Sequence, residues 1–94
     1  MSNKKLLDQI REKIRTNHLS IKTEQDYVSW AKRFVLFHNK RHPAEMGEKE
    51  VEDFLTHLVM EKNVSASTQD QALNAIIFMY KEVFDRRLNK LSGF

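Results

Sequence analysis

Apolar side chains recur at steps of three and four residues through most of the chain, and the breaks between these runs are short and polar. That periodicity predicts four helices and no strands. In a first helix from about Asn3 to Thr16, with Ser2 or Asn3 as N-cap, Leu6, Leu7, Ile10 and Ile14 share one face. Lys4, Lys5, Arg11, Lys13 and Arg15 occupy the rest of its surface. A second helix begins after His18-Leu19, where Ser20 can cap the free N–H groups and Glu24 meets the positive end of the helix dipole. Its core face is Tyr27, Trp30, Ala31, Phe34, Val35 and His38, with Phe37 at the margin. Lys22, Gln25, Ser29, Lys32 and Arg33 form the opposite strip, and Lys40 and Arg41 carry the positive charge past the helix end.

Pro43 closes the connection to a third helix, from about Glu48 to Glu61. Val51, Phe54, Leu55 and Leu58 face inward there, and Glu50, Glu52 and Asp53 outward. A fourth helix starts at Ser65 or Ser67 and runs to about Phe84. Its apolar arc (Ala72, Leu73, Ile76, Ile77, Met79, Tyr80, Val83, Phe84) covers more than half the helical wheel, as expected of a helix packed against several others. The remaining strip is Ser67, Gln71, Asn74 and Lys81, interrupted by Phe78, for which the pattern offers no reason. The tail from Asp85 to Phe94 reads as a linker.

Composition narrows the class. Ninety-four residues with nine aromatics suit one modest core, and the absence of cysteine removes disulfides and thiolate metal sites and fits a cytoplasmic location. No apolar run approaches membrane-spanning length. The net charge of +3 is small but unevenly spread. Residues 1–44 carry ten basic and four acidic side chains, residues 45–62 two and six, and residues 63–94 four and three. A polyanion would be repelled by the acidic third helix and drawn to the second.

Catalytic chemistry is not legible in this pattern. His38 and His42 have an H-x3-H spacing, but Pro43 follows and no acidic pair completes a metal shell. The two glycines, Gly47 and Gly93, form no phosphate loop, and no serine sits in a nucleophile elbow. No cofactor is expected. What remains is Lys and Arg among small hydrogen-bonding residues: Lys22, Gln25, Ser29, Lys32 and Arg33 on the second helix, and Ser65, Ser67, Thr68, Gln71, Asn74 and Lys81 on the fourth. Such a mix contacts phosphates and base edges, and the N–H groups at a Ser/Thr-rich helix start can take a phosphate. These residue types equally make an ordinary solvated face, so a helical protein-interaction domain stands beside nucleic-acid binding as an alternative.

Longer stretches are more specific. Ser20-Ile21-Lys22-Thr23-Glu24-Gln25-Asp26-Tyr27 leads into Trp30 and Phe34. Val51-Glu52-Asp53-Phe54-Leu55 with Leu58 follows, then Val64-Ser65-Ala66-Ser67-Thr68-Gln69-Asp70-Gln71-Ala72-Leu73-Asn74-Ala75-Ile76, and Phe78-Met79-Tyr80-Lys81-Glu82-Val83 closes the match. Together these resemble the N-terminal core-binding, SAM-like domain of tyrosine recombinases, and most of all the integron integrases, over about residues 4–88. The resemblance implies an all-α, four-helix orthogonal bundle that forms half of a clamp around DNA at a recombination site. It implies that the second and fourth helices face the major groove and that the first packs on a neighbouring recombinase protomer. The core-binding domain would span residues 1–88, and residues 89–94 would begin a linker to a catalytic domain absent from this chain, leaving an isolated fragment that is monomeric. The family's catalytic arginines, lysine, histidine-type residues and tyrosine all belong to that absent domain. His38-Asn39-Lys40-Arg41 spells one H-x-x-R element by coincidence, and Tyr27 and Tyr80 lie on core faces.

Overall fold

A computed structural model describes residues 5–89 as α1 (Leu6–Thr16), α2 (Ile21–Phe37), a 3-10 turn (Pro43–Glu45), α3 (Glu48–Met60) and α4 (Ala66–Phe84). No strand occurs among the described residues. Ser20 and Ser65 begin α2 and α4 in the same way: the Thr23 N–H donates to Ser20 Oγ at 3.0 Å, and the Thr68 N–H to Ser65 Oγ at 3.1 Å. Lys5 is extended (φ −71°, ψ 152°), so α1 starts later than Asn3, and the caps expected at Ser2 or Asn3 lie outside the described residues.

Helix ends follow a different rule. His18, Asn39, Lys40, Asn63 and Asp85 all have positive φ, between 49° and 64°, although none is glycine. Each helix stops where the chain turns left-handed and bonds back to its last turns: Leu19 N to Ile14 O, Lys40 N to Val35 O, Val64 N to Leu58 O and Arg86 N to Tyr80 O.

α2 and α4 pack against each other, α1 lies across both, and α3 closes the bundle against them. Ile10 and Ile14 of α1, Trp30, Ala31 and Phe34 of α2, Val51, Phe54, Leu55 and Leu58 of α3, and Ala72, Ala75, Ile76, Met79 and Tyr80 of α4 are buried together. Among the described residues no polar or charged side chain is buried with them. Phe34 sits at the centre, edge-on to Phe54 (5.6 Å between centroids) and Tyr80 (6.5 Å). Such ring pairs add about 0.5–1.5 kcal/mol each beyond the area they bury.

Tyr80 also supplies a polar tie across the bundle. Its hydroxyl donates to Pro43 O at 2.7 Å, joining α4 to the α2–α3 connection. Burial pushes the phenol up to about 12, so it remains a donor at any ordinary pH. His42 Nδ1 accepts from the Ala44 N–H at 3.1 Å and caps the 3-10 turn that presents this carbonyl.

Four expectations need correction. Ile77, expected in the core arc, is 41% exposed, whereas Phe78, expected in the polar strip, is half-buried with its ring 5.3 Å from Tyr27. The α4 arc was too broad for periodicity to choose, and Tyr27 decides it. Glu50 does not point outward: its Oε1 accepts from the Gly47 N–H at 2.8 Å, and Arg41 lies 3.5 Å from its other oxygen. Nor are the described residues after α4, 85–89, a free linker. Arg86 stacks on Tyr80, donates to Met46 O at 2.6 Å and lies 3.8 Å from Glu48, Leu88 packs against the core, and the Asn89 N–H donates to Glu48 at 2.7 Å. A Cβ on Gly47 would fall 2.7 Å from the Arg86 guanidinium, so any side chain there would displace that arginine from its partners.

Tyr80 and the carboxylates at the start of α3 can each be tested by unfolding. Tyr80→Ala should cost about 3–5 kcal/mol, as large cavities in small cores do. Tyr80→Phe should cost only about 1 kcal/mol, because Pro43 O keeps the Met46 N–H as a second donor; urea unfolding measures both. Glu50 is held below the usual carboxylate range first by the Gly47 N–H, with Arg41 and His38 adding to it, and Glu48 first by the Asn89 N–H, with Arg86 adding. Depressed pKa values stabilise the fold at pH above the unfolded value near 4.5, and that stability is lost as the pH falls through the folded values. A stability–pH profile should therefore fall on the acid side, and Glu50→Gln should flatten it.

Candidate nucleic-acid interface

On α2 the expected strip is solvent-facing throughout: Lys22, Gln25, Ser29, Lys32 and Arg33 all lie at the surface. The period of the helix sets this, since they stand across the axis from buried Trp30, Ala31 and Phe34. Their electrostatic states differ. The Lys22 ammonium lies 3.2 Å from Asp26, an i,i+4 pair that partly neutralises it. Lys32 has no ion pair or hydrogen bond among the described residues. Arg33 lays its guanidinium on the Trp30 indole, 4.4 Å from the ring centre, and has no acidic partner among them.

The strip is a ridge with a groove on each side. Gln25, Ser29 and Lys32 line one groove together with Arg11 of α1. Arg33 lines the other, toward α3, with Phe37, His57 and Lys62. Lys62 was not among the expected residues. It is a single lysine at a helix end, and only the fold brings it to the same groove as Arg33.

On α4, Ser67, Gln71, Asn74 and Lys81 lie at the surface and Thr68 is half-buried. Ser65 Oγ accepts the Thr68 N–H and pairs with Thr68 Oγ1 at 3.1 Å, so both hydroxyls are engaged in capping. The N–H groups of Ala66 and Ser67, at the first two helical positions, are the ones a helix start leaves open. Among the described residues no hydrogen bond or ion pair joins the α2 strip to the α4 strip. Tyr27 and Phe78 couple them instead, with Asn74 and Lys81 about one turn to either side of Phe78.

His38 and His42 serve the scaffold. His38 Nε2 lies 2.8 Å from Glu50 O, and His42 caps the 3-10 turn. Arg41, the last residue of the H-x-x-R run, donates to Glu45 O at 3.1 Å. Among the described residues no cluster of three potential metal ligands occurs, and no helix is long and apolar enough to cross a membrane.

Four helices around an aromatic core, with two serine-capped helices presenting polar and cationic strips, define an all-α domain. The family model described as phage integrase, N-terminal SAM-like domain, matches residues 6–90, and the chain belongs to that family. An Escherichia coli protein named integrase/recombinase is 53% identical over 79 residues, covering 84% of this chain. A Pseudomonas aeruginosa protein of the same name matches to the same extent. The chain spans 23% of the length of each of these curated relatives.

Because the Ser65 hydroxyl is committed to the cap, Ser65→Ala should lower stability by about 1 kcal/mol, and urea unfolding would show it. Unchanged stability would mean that the hydroxyl is available for another task.

Proposed function

We propose that this domain grips DNA across α2 and α4 as the N-terminal, non-catalytic part of a site-specific tyrosine recombinase of the integron or phage type. The observation that carries the reading is the division of the cations. Arg11, Arg15, Arg41 and Arg86 are each paired with a carboxylate, at 2.8, 3.0, 3.5 and 3.8 Å, whereas Lys32, Arg33 and Lys81 have no such partner among the described residues. Of the cations that share this state, Lys13, Lys40, Lys62 and Arg87 among them, these three lie on the α2 and α4 strips. Unpaired cations on an exposed ridge release counterions from a phosphate backbone without first breaking an internal bond. Lys22 joins them by exchanging Asp26 for a phosphate.

Gln25, Ser29, Gln71 and Asn74 then supply the neutral donors and acceptors that meet base edges. Ser65, Ser67 and Thr68 shape the α4 N-terminus, whose open N–H groups face a phosphate. In this reading strand cleavage belongs to a catalytic domain of the longer recombinase, and this domain supplies affinity and placement on the recombination site. Membership of the integrase family and the integrase/recombinase names of the relatives support it.

A second surface favours contact with other protomers. Leu6, Leu7, Val35 and Leu36 line an apolar groove between α1 and α2, and Leu36 is 50% exposed.

The test is charge reversal at both strips. The double variant Lys32→Glu and Lys81→Glu should retain its helical circular dichroism and bind a short DNA duplex at low salt at least about tenfold more weakly. The slope of log K against log salt should shrink by roughly 0.9 for each phosphate that the variant no longer neutralises. Unchanged affinity and slope would refute the assignment.

A further inference from the structure

We propose that Arg33 is a specificity-determining residue that reads the major-groove edge of a guanine, with Trp30 holding its guanidinium plane in readiness. The inference rests on the DNA-binding reading and goes beyond it, because a phosphate anchor needs only charge whereas a base reader needs a fixed plane with free donors.

Arg33 meets both conditions. It follows Trp30 by one helical turn, and its guanidinium carbon lies 4.4 Å from the indole centroid. Trp30 itself is 7% exposed, packed into the core and edge-on to Phe54 at 6.4 Å, so the platform is rigid. A guanidinium held over a ring face keeps N–H groups available for hydrogen bonding. None of those donors has a partner among the described residues.

Comparison with the other described arginines isolates the feature. Arg11 and Arg15 hold Asp8 and Glu24, and Arg41 holds Glu45 O and Glu50. Arg86 also lies over a ring, that of Tyr80, but its donors go to Met46 O and Glu48. Arg87 lies beyond α4, with no ring beneath it among the described residues. Among the described arginines, Arg33 alone combines an aromatic platform with an unoccupied fork, on the outward side of α2. Two parallel N–H donors match the O6 and N7 acceptors that guanine presents in the major groove, the commonest specific contact of this kind. Lysine carries the same charge without the fork.

The experiment compares wild type, Arg33→Lys and Lys32→Gln, using a library of duplexes with a randomised central stretch. Wild type should enrich one duplex with a defined guanine, and replacing that G·C pair by A·T should cost it about tenfold or more. Arg33→Lys, whose ammonium can reach the same acceptors without the planar fork, should narrow the preference between the two duplexes with its salt slope preserved. Lys32→Gln should weaken both equally and keep the preference. Trp30 is the only tryptophan in the sequence, so its emission should change on binding in wild type and already differ in free Arg33→Lys. If Arg33→Lys weakens both duplexes equally, or wild type binds in a salt-sensitive way with no guanine preference, Arg33 is a phosphate contact. The inference then fails while the DNA-binding reading stands. If wild type binds no duplex even at low salt, both fail.

Discussion

The bundle is organised around Tyr80, whose buried ring and hydroxyl together position α4. The Tyr80 hydroxyl reaches Pro43 O at 2.7 Å, so the ring that packs against Phe34 also fixes α4 relative to the α2–α3 connection. Other contacts take their places around it. Phe84 and Arg86 cover the outer side of the ring, and Arg86 continues to Met46 O, drawing the segment after α4 onto the start of α3. A buried hydroxyl with a carbonyl partner is stable only in one register, and a slip of one residue would leave the hydroxyl unpaired in an apolar surrounding.

That register gives the outer surface its meaning. With Tyr80 inward, Phe78 falls on Tyr27, and the exposed positions of α4 come to lie beside that contact. The same burial pattern turns Lys32 and Arg33 outward on α2. Charge then sorts itself by structural duty: arginines that bind the elements together are paired with carboxylates, while the ridge retains cations without internal partners among the described residues. Lys32 and Arg33 therefore offer charge that no internal ion pair competes for among the described residues, whereas Lys22 is shared with Asp26.

Much of this was legible in the chain. Helix number and helix type came from the apolar period, and the starts of α2 and α4 from Ser20 and Ser65, because N-capping is local chemistry between a side chain and an N–H three residues on. Helix ends were less legible, since His18 and Lys40 adopt left-handed conformations that neither residue type announces. The wide apolar arc of α4 left Ile77 and Phe78 interchangeable until Tyr27 was placed. Glu50 was read as outward-facing and Arg86 as part of a linker because their partners, Gly47 N and Met46 O, are backbone groups that no side-chain pattern reveals. At the candidate interface, exposure followed from the period for all five α2 residues. The Lys22–Asp26 pair was implicit in its i,i+4 spacing. The Arg33–Trp30 stack and the approach of Lys62 to the same groove needed the fold.

Whether α2 and α4 together form a DNA-binding face can be decided by mapping amide chemical shifts during titration with a short duplex, at low salt and again at higher salt. A shared face gives salt-sensitive shifts concentrated in residues 20–33 and 62–81. Shifts centred on the acidic face of α3, or a spectrum that DNA leaves unchanged, would contradict it.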